Sequence, residues 1–231
     1  MPARRQPRFV VITGSDTGVG KTVLTAWLAR RLRARGIQAV ALKPLCSGGR
    51  SDARALHAAN DGELTLDEVN PWHFSAPLAP VLAARGEGER IQLPQVVNWA
   101  RAVGRRFDLV LVEGAGGLLS PLGEGFDTRD LVRELRGTPV LVVPNRLGAV
   151  GQMRLIFEAL PRSAKARAQM VLVGGKGGDA AAGSNPTLLK EWLPGVPLTL
   201  LPWVTGGAAA SPASGRRIST ALKSLTAALQ G

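Results

Sequence analysis

Cysteine is nearly absent from this chain: Cys46 is the only one in 231 residues. That excludes an intramolecular disulfide framework and fits the reducing cytoplasm. Long apolar runs are missing too. No segment reaches the roughly 18 uninterrupted apolar residues of a bilayer-spanning helix, so no membrane partner is expected. Met1 to Arg8 is basic and carries no apolar run of its own, which marks residues 1–8 as a basic N-terminal extension and not a secretory signal. Acidic residues are few, 17 against 29 Lys and Arg, for a net charge of +12. The basic residues fall in short groups (Arg4-Arg5, Arg30-Arg31-Arg33-Arg35, Arg105-Arg106, Arg216-Arg217) with no base-stacking aromatics between them. They are expected to form solvated outer faces, so no nucleic-acid partner is expected. The two histidines, His57 and His73, stand in no motif and are read as structural, as Trp72 and Trp203 are read as packing residues.

What is present begins at residue 9. A short apolar run, Phe9 to Ile12, empties into Thr13-Gly14-Ser15-Asp16-Thr17-Gly18-Val19-Gly20-Lys21-Thr22-Val23 and then into an amphipathic segment. Strand, glycine-rich loop and helix in that order make a phosphate cradle. Backbone N–H groups turn toward phosphate oxygens, Lys21 neutralises the outer phosphates, and the Thr22 hydroxyl suits a hard divalent cation. The chain is therefore expected to bind a nucleoside triphosphate with Mg2+ through Asp16 to Val23. The loop is a variant: Ser15 stands where the usual first glycine would be, and Gly14 lies one residue earlier. Asp16 occupies the slot of the extra lysine used by partition-type ATPases, which disfavours that subclass.

Apolar runs of strand length recur at Phe9–Thr13, Ala39–Lys43, Leu109–Glu113, Val140–Pro144, Met170–Val173 and Leu198–Leu201. Helical periodicity is expected over Lys21–Arg35, Asp52–Ala59, Leu93–Arg105, Thr128–Arg136, Ala149–Leu160, Pro186–Leu193 and Arg217–Leu229. Gly174–Ser184 and Thr205–Gly215, rich in Gly, Ala and Ser, are expected to be flexible loops. Continuous apolar strands alternating with helices predict an α/β fold, one P-loop NTPase-like domain spanning residues 1–231. Its sheet is mostly parallel with helices on both faces, and ligands lie beyond the carboxyl ends of the strands.

Two such ends carry chemistry. Leu109 to Val112 delivers Glu113, followed by Gly114-Ala115-Gly116-Gly117, and a carboxylate there is placed to bind or orient magnesium. Ala39 to Leu42 delivers Lys43-Pro44, with Ser47 and Asp52 beyond. Lys43 brings a second cation to the edge that carries Lys21, suited to an oxyanionic transition state. Asp52 suits either a metal or a helix N-cap.

Together Gly14 to Thr22, Lys43-Pro44, Ser47-Gly48, Ser51-Asp52-Ala53, Asn70-Pro71, Val112 to Gly117 and Pro202-Trp203 resemble dethiobiotin synthetase, in order and spacing, from about residue 9 to about residue 204. The resemblance implies a homodimeric, Mg2+- and ATP-dependent ligase that closes the ureido ring of dethiobiotin from 7,8-diaminononanoate and carbon dioxide. A carbamate and a carbamic–phosphoric anhydride are its intermediates. It implies Lys43, Lys21 and Thr17 as catalytic groups and Thr22, Asp52 and Glu113 as metal ligands. Substrate contacts fall to Ser47, Gly116 and the helix start Gly148-Ala149-Val150-Gly151, the last reaching across a dimer interface to the substrate carboxylate. The family usually has an Asn-Asp pair where this chain has Gly174-Gly175-Lys176-Gly177, so CTP or another triphosphate stands beside ATP. Val81 and Gly151 replace the His and Asn common in relatives. Two alternatives remain. One is a P-loop regulatory module without turnover, which has no evident need for Lys43. The other is an amide-forming synthetase, which normally carries an appended glutaminase domain.

Overall fold

The computed structural model describes residues 6–209 and 212–230. Along the chain the elements are β1 (Arg8–Gly14), α1 (Lys21–Arg33), β2 (Ala39–Leu42), β3 (Leu45–Ser47), α2 (Ser51–Ala59), α3 (Leu66–Val69), β4 (Trp72–Phe74), α4 (Pro80–Gly86) and α5 (Leu93–Gly104). There follow β5 (Leu109–Glu113), α6 (Thr128–Glu134), β6 (Thr138–Pro144), α7 (Ala149–Glu158), α8 (Arg162–Lys165), β7 (Gln169–Val173), α9 (Asn185–Trp192), β8 (Leu198–Leu201), α10 (Pro212–Ala221) and α11 (Lys223–Ala228).

Six strands form one wholly parallel sheet in the order β2-β5-β1-β6-β7-β8. Both faces are covered, and the strands show it residue by residue. Leu141, Val143, Met170 and Leu172 pack with Ala149, Met153 and Leu189 on one side, while the alternating Val140, Val142 and Val171 join the larger core that holds Leu24 and Leu28 of α1. Strand residues with period-2 alternation into two apolar layers are what a buried parallel sheet requires. No helix among the described residues is long and apolar enough to cross a membrane.

The sheet's carboxyl edge is where β1 meets the loop. A Cβ on Gly14 would lie 2.7 Å from the Val142 carbonyl oxygen and 2.8 Å from Val19 Cγ2, so only glycine lets β1 leave the sheet beside β6. Gly20, at φ 100°, turns the chain into the first turn of α1. At the opposite border, β2 is an edge strand whose outer backbone is claimed by a side chain. Buried Asn60 accepts from the Ala41 N–H at 2.8 Å and donates to the Ala41 carbonyl at 2.9 Å. Its amide thus does the work of a missing strand.

The structure corrects several expectations. The helices α1, α5, α6 and α7 end one or two residues sooner, before residues left at Arg35, Arg105, Arg136 and Leu160. Two short strands, β3 and β4, pair in parallel as a separate ribbon. Within the expected loop Thr205–Gly215, Gly207–Ala209 is a 3₁₀ turn and α10 already runs from Pro212, while residues 210–211 lie outside the described residues. Most of the 1–8 extension, residues 1–5, lies outside them as well. Arg30 and Arg31 are only partly exposed. Arg30 donates to the Ala208 carbonyl and Arg31 to Thr226 Oγ1 and Ser219 Oγ, pinning the C-terminal helices to α1.

Asn60→Ala should destabilise the fold by about 1–3 kcal/mol, because it strands a buried N–H and C=O of β2. Urea unfolding measures this, and an effect below about 0.5 kcal/mol would show the edge is satisfied otherwise.

Candidate active site

Register sets the site. β2 and β5 are neighbours with Leu42 opposite Val112, so the next residue of each, Lys43 and Glu113, emerges at the same edge. Lys43 Nζ donates to Glu113 Oε1 at 2.7 Å, to Asp52 Oδ2 at 3.1 Å and to the Gly114 carbonyl at 3.1 Å. Thr22 Oγ1, on the first turn of α1, donates to the same Glu113 oxygen at 2.8 Å. Lys21 Nζ donates to the Asp16 carbonyl at 2.6 Å, lying back across the loop. Asp52 sits in the first turn of α2 without capping it, Arg50 being the N-cap residue, so its carboxylate is given to Lys43.

A cleft of ≈ 760 Å³ opens above this cluster. Thr17, Lys21, Thr22, Lys43, Ser47, Asp52 and Gly116 all line it, with Leu45, Pro77, Leu78 and Pro121 as an apolar wall. The structure thus brings together most of the residues singled out in the sequence. It places the others elsewhere. Asp16 and Val19 face a hollow of ≈ 410 Å³ on the far side of the loop, and Val19 is otherwise a core residue. Gly148 to Gly151 open α7 outside the cleft, with Gly148 and Gly151 exposed and Ala149 buried. His57 and His73 line none of these spaces, and Trp72 packs edge-on to Trp99 at 5.7 Å. Trp203, expected to pack, is 41% exposed and borders a further cavity of ≈ 630 Å³ beside Gly20 and Val23.

Supporting residues escaped the sequence reading. Asn70, fully buried, donates to the carbonyls of Lys43, Pro44 and Trp72, fixing the strand exit that aims Lys43. Arg50 holds Asn70 through Oδ1 at 3.1 Å and its carbonyl at 2.9 Å, and Asp67 at 2.8 Å holds Arg50. The one available signal was the Asn70-Pro71 pair.

The two lysines are tuned in opposite directions. Burial and the neighbouring Lys43 charge bring Lys21 down to about 8. Burial would lower Lys43 also, but Glu113 and Asp52 outweigh it and hold it above the ordinary lysine value. Lys43 is therefore a permanent cation, whereas Lys21 holds its proton less firmly than an ordinary lysine.

The donor set also bears on a divalent cation. Glu113 Oε2 is buried with no hydrogen-bond partner, and hydroxyl and carboxylate oxygens are the hard ligands magnesium takes. No group of three or more His, Cys, Asp or Glu suited to a metal occurs among the described residues. That composition fits an ion completed by water and phosphate oxygens, as magnesium is in nucleotide sites.

Known proteins fit this geometry. Solved structures of the MinC:MinD cell division protein complex and of MinD from Aquifex aeolicus superpose with TM-scores of 0.58 and 0.53 at 15% identity. They cover 94% of this chain and 96–97% of those chains, a likeness of fold alone. Residues 8–204 match the family model described as an AAA domain. The ATP-dependent dethiobiotin synthetase BioD of Anaeromyxobacter sp. (strain K) is 44% identical over 202 residues, 85% of this chain and 90% of that protein. The chain belongs to the dethiobiotin synthetase family. A more distant family member, from Xanthomonas oryzae pv. oryzae (strain PXO99A), is 39% identical over 163 residues, 67% of this chain and 73% of its own length. The part of this dethiobiotin synthetase-family chain matched by the AAA model ends just past Pro202-Trp203, so α10 and α11 lie beyond it.

A protonated lysine attracts phosphate and a neutral one does not, so triphosphate bound at the loop should lose affinity as pH rises through about 8, toward tenfold per unit. Calorimetric titration across pH 6.5–10 checks the sign. Lys21→Arg, charged throughout, should remove the break, and a break that survives it would belong to another group.

Proposed function

We propose that the protein is an ATP- and magnesium-dependent dethiobiotin synthetase, closing the ureido ring of dethiobiotin from 7,8-diaminononanoate and carbon dioxide. The observation that carries this is the pairing of two buried lysines on one cleft, Lys21 at the phosphate loop and Lys43 locked on Glu113. The names of relatives at 39–48% identity support it over a regulatory module or an amide-forming synthetase. A module has no evident need for Lys43.

The chemistry proceeds in three steps. One amine adds to carbon dioxide and loses a proton to solvent, leaving a carbamate. A carbamate oxygen then attacks the γ-phosphorus of ATP, releasing ADP and leaving a carbamic–phosphoric anhydride. The second amine attacks the carbamoyl carbon, closes the ring, loses its proton and expels phosphate. Lys21 holds the outer phosphates. Lys43 has committed its donors to Glu113, Asp52 and Gly114, and half-exposed Asp52 is the partner most readily exchanged for a substrate oxygen. Charge developing on the transferring phosphoryl group then meets a fixed ammonium. Thr17, Ser47 and Gly116 bound the space for carbamate and diamine, and the apolar wall at Leu45 and Leu78 suits a hydrocarbon chain. Holding both amines near the activated carbon supplies roughly 7 to 11 kcal/mol of the barrier. Thr22, Asp52 and Glu113 would hold magnesium, which screens the phosphate charge when bound.

ATP is the proposed triphosphate, with its base in the ≈ 630 Å³ cavity between the loop and Trp203. With Gly174 and Gly175 in place of an Asn-Asp pair, CTP is admitted beside ATP. The enzyme is proposed to work in the cytoplasm as a homodimer, with the active site at the interface. Leu147 and Leu155, 81% and 73% exposed at the start and outer side of α7, support a second copy there. The backbone amides of Gly148 to Gly151 would then meet the carboxylate of diamine held in the other subunit's cleft.

Phosphate release measured with diamine, bicarbonate and each triphosphate tests the ligase directly. Release that requires diamine is expected, and hydrolysis indifferent to diamine would contradict it. Lys43→Ala should lower turnover by roughly 10²–10³ while nucleotide affinity stays within about tenfold. Loss of binding with normal saturated turnover would remove Lys43 from the transition state. Leu155→Asp should give a monomer by sedimentation and a raised KM for diamine. A variant that stays dimeric would move the interface elsewhere.

A further inference from the structure

The helix that starts at the phosphate loop also grips the far end of the chain. Trp27 Nε1 on α1 donates to the Gly207 carbonyl at 3.0 Å, and one turn on, Arg30 donates to the carbonyl of Ala208. Arg30 also lies over the Trp27 ring, 5.0 Å from its centre. On the other side the indole meets α10 so closely that a Cβ on Gly215 would lie 2.5 Å from its edge. The Trp27 ring is thus seated between Arg30 and α10, and its N–H and the guanidinium fix two successive carbonyls of the 3₁₀ turn Gly207–Ala209.

That turn is a wall. Trp203, Val204, Gly206 and Gly207 form one side of the ≈ 630 Å³ cavity, Gly18, Gly20 and Val23 another, and Val173 to Gly175 a third. A Cβ on Gly207 would stand 3.3 Å from Val23 Cγ2, so the turn touches α1 directly at the cavity's edge. Within the cavity the Asn145 side chain is engaged with Asn185 and the Ala182 carbonyl, and Asp179 with the Ala181 N–H. Shape, set by where the 203–209 segment sits, is therefore one determinant of how a base is held there.

We propose that Trp27 and Arg30 are positioning residues for the nucleotide base, latching the Trp203–Ala209 wall to the same helix whose first turn carries Lys21 and Thr22. The placement of base and phosphates is thereby tied to one rigid element. This rests on the reading that the ≈ 630 Å³ cavity takes the base.

The test separates base from phosphate with two probes, ATP and inorganic tripolyphosphate, which has no base. Each is titrated against wild type, Trp27→Phe and Arg30→Gln, with folding checked by thermal melting. Trp27→Phe keeps a six-membered aromatic ring but loses the N–H together with the rest of the indole, whereas Arg30→Gln removes the guanidinium and leaves the indole intact. Both variants should weaken ATP by roughly tenfold, the scale of one lost hydrogen bond, and leave tripolyphosphate within about twofold. In turnover the change should appear in KM for ATP and not in KM for diamine. ATP and tripolyphosphate weakened alike would make the latch a general support of α1 and overturn the proposal, as would unchanged ATP affinity. Wild type binding tripolyphosphate as tightly as ATP would overturn the base cavity itself. If Trp27→Phe does not fold, Arg30→Gln alone decides between these outcomes.

Discussion

A carboxylate shut away from water is the constraint around which the rim is built. Glu113 is fully buried, and an isolated charge there would cost several kcal/mol. It is tolerated because one of its oxygens accepts from both Lys43 and Thr22. Three separate elements must therefore end at one point: β5 with the acid, β2 with the ammonium and α1 with the hydroxyl. The parallel register of β2 on β5 brings two of them together without any loop having to adjust. The second Glu113 oxygen is buried and unpartnered, which suits the magnesium ligand proposed above.

Two lysines so close need different surroundings to remain distinct. Lys43 draws on Glu113 and Asp52 and keeps its proton, while Lys21 has burial and Lys43 set against it. One is a fixture, and the other holds its proton less firmly. Behind Lys43 stands a chain of support, Asp67 to Arg50 to Asn70, that ends on the backbone carbonyls of Lys43 and Pro44. Preorganised electrostatics depend on such backing, since a cation free to move would relax with the charge it is meant to stabilise.

How far the sequence disclosed this varies with the kind of contact. The six sheet strands were legible because a strand buried on both faces must be apolar at every position, and Lys43 and Glu113 were legible because polar residues end those runs. β3 and β4 were not, being three residues each and pairing only with one another. The Ala- and Ser-rich start of α10 reads as loop by composition, yet the adjoining segment is held by Trp27 and Arg31, a tertiary effect no local pattern reveals. For the same reason Arg30 and Arg31 looked like surface charge. Asn60 acts on Ala41, 19 positions away, with nothing in its immediate neighbours to mark it, and Asn70 acts on Lys43 and Pro44, 27 and 26 positions away, with only the adjoining Pro71 as a sign.

Lys43 and Glu113 form one buried unit, and a double-mutant cycle in unfolding free energy tests this most directly. Lys43→Met should destabilise the fold by about 3 kcal/mol or more, since it strands the buried carboxylate, and Glu113→Gln by less, since Asp52 and the Gly114 carbonyl still hold the ammonium. The double variant should recover a large part of that loss, giving a coupling of about 2 kcal/mol or more. Losses that simply add would contradict the account, because the two groups would then be independent and the rim would have some other centre.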